Sequence, residues 1–217
     1  MICMSVFCIS CEKMNDLHQE YLDKGEKIYA TRLDSVESFP GKNRVKLKMY
    51  VPPTRVNGIK IFWGSGFTDS LQIDMDQVKD GVIETIISGL QEGSSFFKIM
   101  TFDKFGNYSL PMEVAGDTYG DYYQAELRNN SIDSTKYESG QFLIYWQRIP
   151  SQSESMDLIY TAKNGQEVTQ TINIEKVTIL DDYNPGSDLR YRTAYRPVPE
   201  CIDLFYTEYD SYTPLLE

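Results

Sequence analysis

The 217-residue sequence contains a single histidine, His18, and its four cysteines are unevenly placed, with Cys3, Cys8 and Cys11 at the start and only Cys201 in the body. One histidine so near the N-terminus leaves Ser or Cys catalysis without an imidazole base inside either expected domain. A histidine-containing zinc site fails for the same reason. Positive charge is also scarce: 21 Lys and Arg stand against 32 Asp and Glu, a net charge of −11. A surface this negative, with no basic stripe, repels phosphate and excludes nucleic acid as a partner. Long apolar runs are missing too. Met1 to Ser10 is a ten-residue run, half of the roughly 20 residues that a spanning helix needs. No Gly-rich loop opens a helix, so a phosphate cradle of that kind is absent.

What remains is the composition of a folded chain. Apolar residues make up 41% and aromatics 13%, too much sticky surface for a chain that stays solvated. The length allows one large domain or two of about 100 residues. Tyrosine is unevenly spread, with 12 of its 16 positions after residue 118.

The opening segment MICMSVFCIS carries no charge and turns polar at Cys11-Glu12-Lys13. Its length fits the apolar core of a secretory signal, and the missing positive region implies a start codon placed inside the original signal. The run Cys8-Ile9-Ser10-Cys11 resembles a bacterial lipobox, with Cys8 where Leu is usual. That resemblance implies that Cys11 becomes the lipidated N-terminus; a buried N-terminal strand is the alternative. Cys3 and Cys8 would then leave with the signal, and Cys201 would have no intramolecular disulfide partner. Within Cys201-Ile202-Asp203-Leu204-Phe205 it reads as a small buried hydrophobe; a reactive thiol would need a neighbouring His or Lys, which is absent. The expected organisation is a signal remnant at 1–10, a lipidated polar tether at 11–28, and domains at 29–117 and 118–217.

From residue 29 the pattern becomes short alternating segments. Val45 to Met49, Ile59 to Trp63 and Leu71 to Met75 alternate, and Val82 to Ile87 is apolar and β-branched. Period 2 over about five residues predicts half-buried strands, and turn signals every 8 to 12 residues predict an antiparallel sandwich. The pattern repeats. Phe142 to Trp146 matches Val45 to Met49, and Met156 to Tyr160 matches Ile59 to Trp63, both at an offset of 97. Leu180 pairs with Leu90, and Leu189 to Tyr195 with Phe96 to Phe102, at offsets of 90 and 93. The expectation is an all-β chain of two tandem sandwiches.

Gly89 to Ser94 followed by Phe97 to Ser109 resembles the E to F corner, F strand and F to G turn of a fibronectin type III domain, an immunoglobulin-like β-sandwich. Trp146 sits where that family keeps its strand B core tryptophan, and Met49 takes the equivalent place in the first copy. Together with the lipobox, Phe39 to Val45 and Ile202 to Tyr206, the chain resembles a Bacteroidetes-type lipoprotein family with two fibronectin-like domains and no assigned function. The resemblance implies a lipid-anchored protein of the outer membrane or cell surface and no catalytic residues.

Two carboxylates suffice for glycoside hydrolysis, but no pair is marked among the 32 acids, and the expectation is a protein that is not an enzyme. Asp181, Asp182, Asn184 and Asp188 gather the hard oxygen ligands that calcium takes. Asp74, Asp76 and Asp80 form a looser set; a polar turn is the alternative for both. The sharper candidates are the rings Tyr122, Tyr123, Phe205, Tyr206, Tyr209 and Tyr212, since rigid amphipathic aromatics pack on sugar faces or protein partners at little entropic cost. Their alternative role is to fill the second core and the contact between domains. The expected function is binding of a glycan or an outer-membrane protein partner, chiefly through the second domain; the rival is a spacer or assembly subunit that binds no sugar.

Overall fold

A computed structural model describes residues 27–214. The expected signal and lipid anchor at Cys11, and His18, lie outside these residues.

The first sandwich sets strands β1 (Ser35–Lys42), β2 (Arg44–Tyr50) and β5 (Val82–Ser88) against β3 (Gly58–Trp63), β4 (Asp69–Asp74), β6 (Gly93–Phe102) and β7 (Met112–Tyr119). The strand order is β4-β3-β6-β7-β1-β2-β5, and the two layers join where β1 runs parallel to β7 at Gly41 and Lys42. The alternation seen in the sequence becomes the core: Val45, Leu47 and Met49 on β2 face Ile59 and Ile61 on β3 and Phe97 and Ile99 on β6. The second sandwich repeats the plan. Strands β8 (Ile132–Glu138), β9 (Gln141–Trp146) and β12 (Val177–Leu180) form one sheet. The other holds β10 (Ser153–Thr161), β11 (Glu167–Asn173) and β13 (Leu189–Tyr195), with β14 (Phe205–Tyr206) and β15 (Asp210–Tyr212) both on the free side of β13. The chain is therefore all-β, two tandem fibronectin type III-like sandwiches of immunoglobulin-like topology.

Strand pairing corrects two of the sequence matches. Val45 pairs with Ile87, and Phe142 with Leu180, so Leu180 corresponds to Ile87 and not to Leu90. Ile61 pairs with Ile99, and Leu158 with Tyr191, which makes the offset of the F strand 92 and not 93. A shift of one residue reverses every side chain. Leu189, fully buried, then matches buried Phe97 instead of Phe96, which is 64% exposed.

The corrected register aligns Thr101 with Thr193, both fully buried and both in the same hydrogen-bond pattern. The Thr101 N–H donates to Ser109 Oγ at 3.1 Å and the Ser109 N–H to the Thr101 carbonyl at 3.0 Å. In the second domain the Thr193 N–H donates to Thr207 Oγ1 at 2.9 Å, and the Thr207 N–H to the Thr193 carbonyl at 3.1 Å. Burying a polar group is costly unless it is paired in this way. On β9, Trp146 is buried, and its indole N–H donates to Thr178 Oγ1 at 2.9 Å.

Candidate functional site

Of the candidate rings, Tyr122, Tyr123, Phe205 and Tyr206 lie at the junction between the sandwiches. After β7, Gly120 leads into a short helix α1 (Asp121–Glu126). The Glu92 carboxylate accepts the Tyr122 and Tyr123 N–H groups, each at 2.8 Å. These donors have no partner within the helix, so an acid is favourable there.

The segment between β13 and β14 reaches back to the β1–β2 turn of the first sandwich, where the Ile202 N–H donates to the Pro40 carbonyl at 2.8 Å. Asp203 accepts the Lys42 N–H at 2.7 Å, Arg44 Nε at 2.9 Å and a second bond from Arg44 Nη2. The Arg44 guanidinium, followed by the Lys42 N–H, holds the Asp203 carboxyl below its ordinary range against the opposing effect of burial. Gly41 permits this approach: a Cβ there would lie 2.7 Å from Asp203 Oδ2 and 2.8 Å from Ile202 Cγ1. Behind the ion pair, Tyr123 packs edge-on against Tyr119 and Phe205, with ring centroids 5.0 and 5.1 Å away. Cys201 is buried beside them, and burial pushes its thiol up, away from the thiolate that a nucleophile needs.

The six candidate rings separate into distinct roles. Phe205 is 1% exposed and offers no face to a ligand, which corrects its assignment as a binding ring. Tyr123 is likewise a packing residue; its hydroxyl is buried with no hydrogen-bond partner among the described residues, and burial pushes its pKa up to about 12. Tyr212 pairs with Leu189, packs against the second core and places its hydroxyl 3.2 Å from Thr135 Oγ1, so it too is structural. These three corrections share one cause: the strand and helix faces that carry the rings are turned inward. Tyr122, on the same helix as Tyr123, is 83% exposed.

Tyr206 and Tyr209 remain partly accessible, and both lie against Arg192, whose guanidinium carbon is 4.2 and 4.8 Å from their ring centroids. Arg192 is fixed from behind by Asp157, with Nε and Nη2 each 2.8 Å from Oδ2. Thr171 Oγ1 donates to the other Asp157 oxygen at 2.7 Å. The arrangement is a cation-backed tyrosine pair on the outer face of the β10–β13 sheet, rigid before any ligand arrives.

Tyr206 also borders a groove of about 550 Å³ between the domains, walled by Lys42, Gln124, Arg128, Asn129 and Glu208. Lys42 Nζ donates to Gln124 Oε1 at 2.5 Å, Gln124 Nε2 to the Tyr206 carbonyl at 2.9 Å, and Asn129 Nδ2 to the Glu208 carbonyl at 2.8 Å. The groove is lined by one aromatic residue and several polar side chains, most of them bonded to one another.

The candidate calcium ligands do not converge. Asp181 accepts from Gln141 Nε2 at 2.6 Å, Asp182 from the Tyr160 hydroxyl at 2.7 Å, and Asp188 from Thr213 Oγ1 at 2.7 Å, each engaged by a different partner. The Lys163 ammonium lies 2.6 Å from the Asp181 carbonyl, where it repels a cation. Asn184 uses its backbone, donating to the Thr161 carbonyl at 2.8 Å. The segment is a polar turn. Among the described residues no group of three His, Cys, Asp or Glu side chains is arranged to hold a metal ion, and this covers Asp74, Asp76 and Asp80 as well.

No motif in the sequence marks Arg192, Asp157, Arg44, Asp203 or Glu92 as site residues. Arg192 did carry a signal, as a charge alternating with buried Tyr191 and Thr193 on an aromatic-rich strand. Arg44 and Asp203 are 159 positions apart, and no local pattern joins them.

Among the described residues no helix is long and apolar enough to cross a membrane. No curated protein matches the chain. Similar solved structures include a two fibronectin type-III domain segment from chicken tenascin, 15% identical over 84% of this chain and 98% of that one, with a TM-score of 0.36. Another is the FN1-FN3 domains of chicken CNTN1, 12% identical over 87% of this chain and 68% of that one, with a TM-score of 0.39. The profile of DUF4998, a domain of unknown function, matches residues 11–205, and the chain belongs to that family.

Proposed function

We propose that this protein is a non-enzymatic, lipid-anchored module of the outer membrane or cell surface, held through Cys11, that binds a glycan in the groove between its two domains. The fold suits a binding or structural role, and domains of this kind are generally non-catalytic. The observation that carries the reading is Tyr206, which borders a polar groove and is stacked on a guanidinium that Asp157 holds in place. A sugar packs its C–H face on such a ring while its hydroxyls pair with the Glu208 carboxylate and with the amide hydrogens of Gln124 and Asn129 that the internal bonds leave over. Glycan-array screening of the purified chain tests the ligand: specific signals support the reading, and a blank array with capture of one outer-membrane protein replaces it. Substituting Cys11→Ala tests the anchor, because the variant should lose acylation and leave the membrane fraction.

The spacer or assembly role has its own support in the Arg44–Asp203 contact, which fixes one sandwich against the other. A subunit that positions another protein needs such a fixed angle. Binding of a protein partner with no response to any glycan would favour it.

A further inference from the structure

The first domain carries a second groove, of about 760 Å³, between the β3–β4 loop and the β5–β6 corner. Three aromatic residues line it: Trp63, Phe67 and Phe96. Its charged lining is of one sign, Asp69, Glu92 and Glu113. Glu92 is committed to the N–H groups of α1. Asp69 and Glu113 form no side-chain hydrogen bond or ion pair among the described residues. Phe96 is 64% exposed on the outer face of β6, and strand register puts Glu113 opposite Lys98, one diagonal step from Phe96.

The loop that forms one wall is held in an uncommon backbone conformation. Gly64 and Gly66 have φ of 81° and 68°, and Phe67, a bulky residue, has φ of 59°. Its N–H donates to the Gly64 carbonyl at 3.1 Å. A left-handed Phe costs on the order of 1–3 kcal/mol, and the surrounding structure must hold it there. What it achieves is placement: the Phe67 ring sits over the Lys98 ammonium, 4.4 Å from centroid to nitrogen, with Phe62 on the same ammonium at 5.3 Å. The face thus already binds one ammonium by aromatic rings, beside two carboxylates that have no partner among the described residues.

We propose that this groove docks a basic segment of a partner protein, its Lys or Arg side chains lying on Phe96 and Trp63 and pairing with Asp69 and Glu113. The charge of the lining selects the occupant. A neutral oligosaccharide would gain ring contacts but leave two carboxylates with only hydroxyl donors, whereas a guanidinium or ammonium satisfies rings and acids together. The length of the groove, reaching from the Gly64 loop to Glu113, suits an extended segment. The site is separate from the groove at Tyr206 and stands or falls independently of glycan binding there.

The test is fluorescence anisotropy of the full chain with a fluorescein-labelled peptide of alternating lysine and arginine, at 50 and 150 mM salt. A chain of net charge −11 attracts any polycation, so the informative variants are those that change the groove. Phe96→Ala keeps the charge and removes a surface ring; it should weaken binding about three- to fivefold. Glu113→Gln should weaken it about threefold. Asp133→Asn, the same charge change on the second domain, should leave it unaltered. Free spermine should compete far less well than the peptide. Equal losses in Glu113→Gln and Asp133→Asn, no loss in Phe96→Ala, equal competition by spermine, or a neutral oligosaccharide that protects the groove in place of the peptide would each overturn the proposal.

Discussion

Replacing Asp203 by Ala should separate the two domains mechanically while leaving each core intact. The carboxylate side chain is 17% exposed and its partner Arg44 39%, so the pair lies between a surface bridge and a buried one. It accepts one backbone and two guanidinium hydrogen bonds. Bonds to charged groups contribute about 1.5–3 kcal/mol in buried settings; partial exposure of Arg44 reduces this, and the loss is expected near 2 kcal/mol. For a chain of this size that corresponds to a fall in Tm of about 4–8 °C. Scanning calorimetry should show the coupled transition of the wild type broaden or divide, because the two cores share none of their buried residues. A double-mutant cycle with Arg44→Ala should give a coupling energy of about 1–2 kcal/mol. Acid has the same effect. The Asp203 pKa is depressed in the folded protein, so its contribution is complete above the ordinary carboxylate value of about 3.9 and is lost as pH falls through the lower folded value. The substitution should remove that part of the acid dependence. A variant within about 0.5 kcal/mol of wild type, or a strictly additive cycle, would refute the reasoning.

Gly41→Ala should damage the same joint by steric means, since the new Cβ would meet Asp203 Oδ2 at 2.7 Å and Ile202 Cγ1 at 2.8 Å; a loss of about 1–3 kcal/mol in urea unfolding is expected. Thr193→Val should cost about 1–3 kcal/mol, because it strands the buried Asn130 N–H that donates to Thr193 Oγ1 at 3.0 Å. In alkali, Tyr123 and Tyr160 should ionise late. Burial comes first for both, with the Asp182 hydrogen bond adding to Tyr160, and each is pushed up to about 12. Their stabilisation is complete below the ordinary tyrosine value of about 10 and disappears as pH rises through the folded value. Absorbance titration at the phenolate band should show a late class of tyrosines released together with unfolding.

The strands were legible because burial on one face of a sheet imposes period 2, as at Val45, Leu47 and Met49. The repeat was legible because both cores use that pattern. The F strand slips by one residue in a sequence match because Phe96 and Phe97 are apolar on adjacent positions, so Leu189 can be matched to either, and only pairing with β10 and β3 settles the face. The rings were a harder problem. Tyr206 and Phe205 are neighbours of similar chemistry, yet one borders a groove and the other is buried, a difference set by Tyr119 and Tyr123 from far along the chain. Composition identified the tyrosine-rich half; it could not identify Arg192 as the group that holds Tyr206 and Tyr209.

Calorimetric titration of the best ligand from a glycan array against wild type, Tyr206→Ala and Tyr122→Ala tests the central claim most directly. The account predicts that Tyr206→Ala weakens binding about tenfold or more, the scale of a ring contact worth about 1.5 kcal/mol, while Tyr122→Ala stays within twofold. Full binding by Tyr206→Ala, or no glycan bound by the wild type at all, would contradict it.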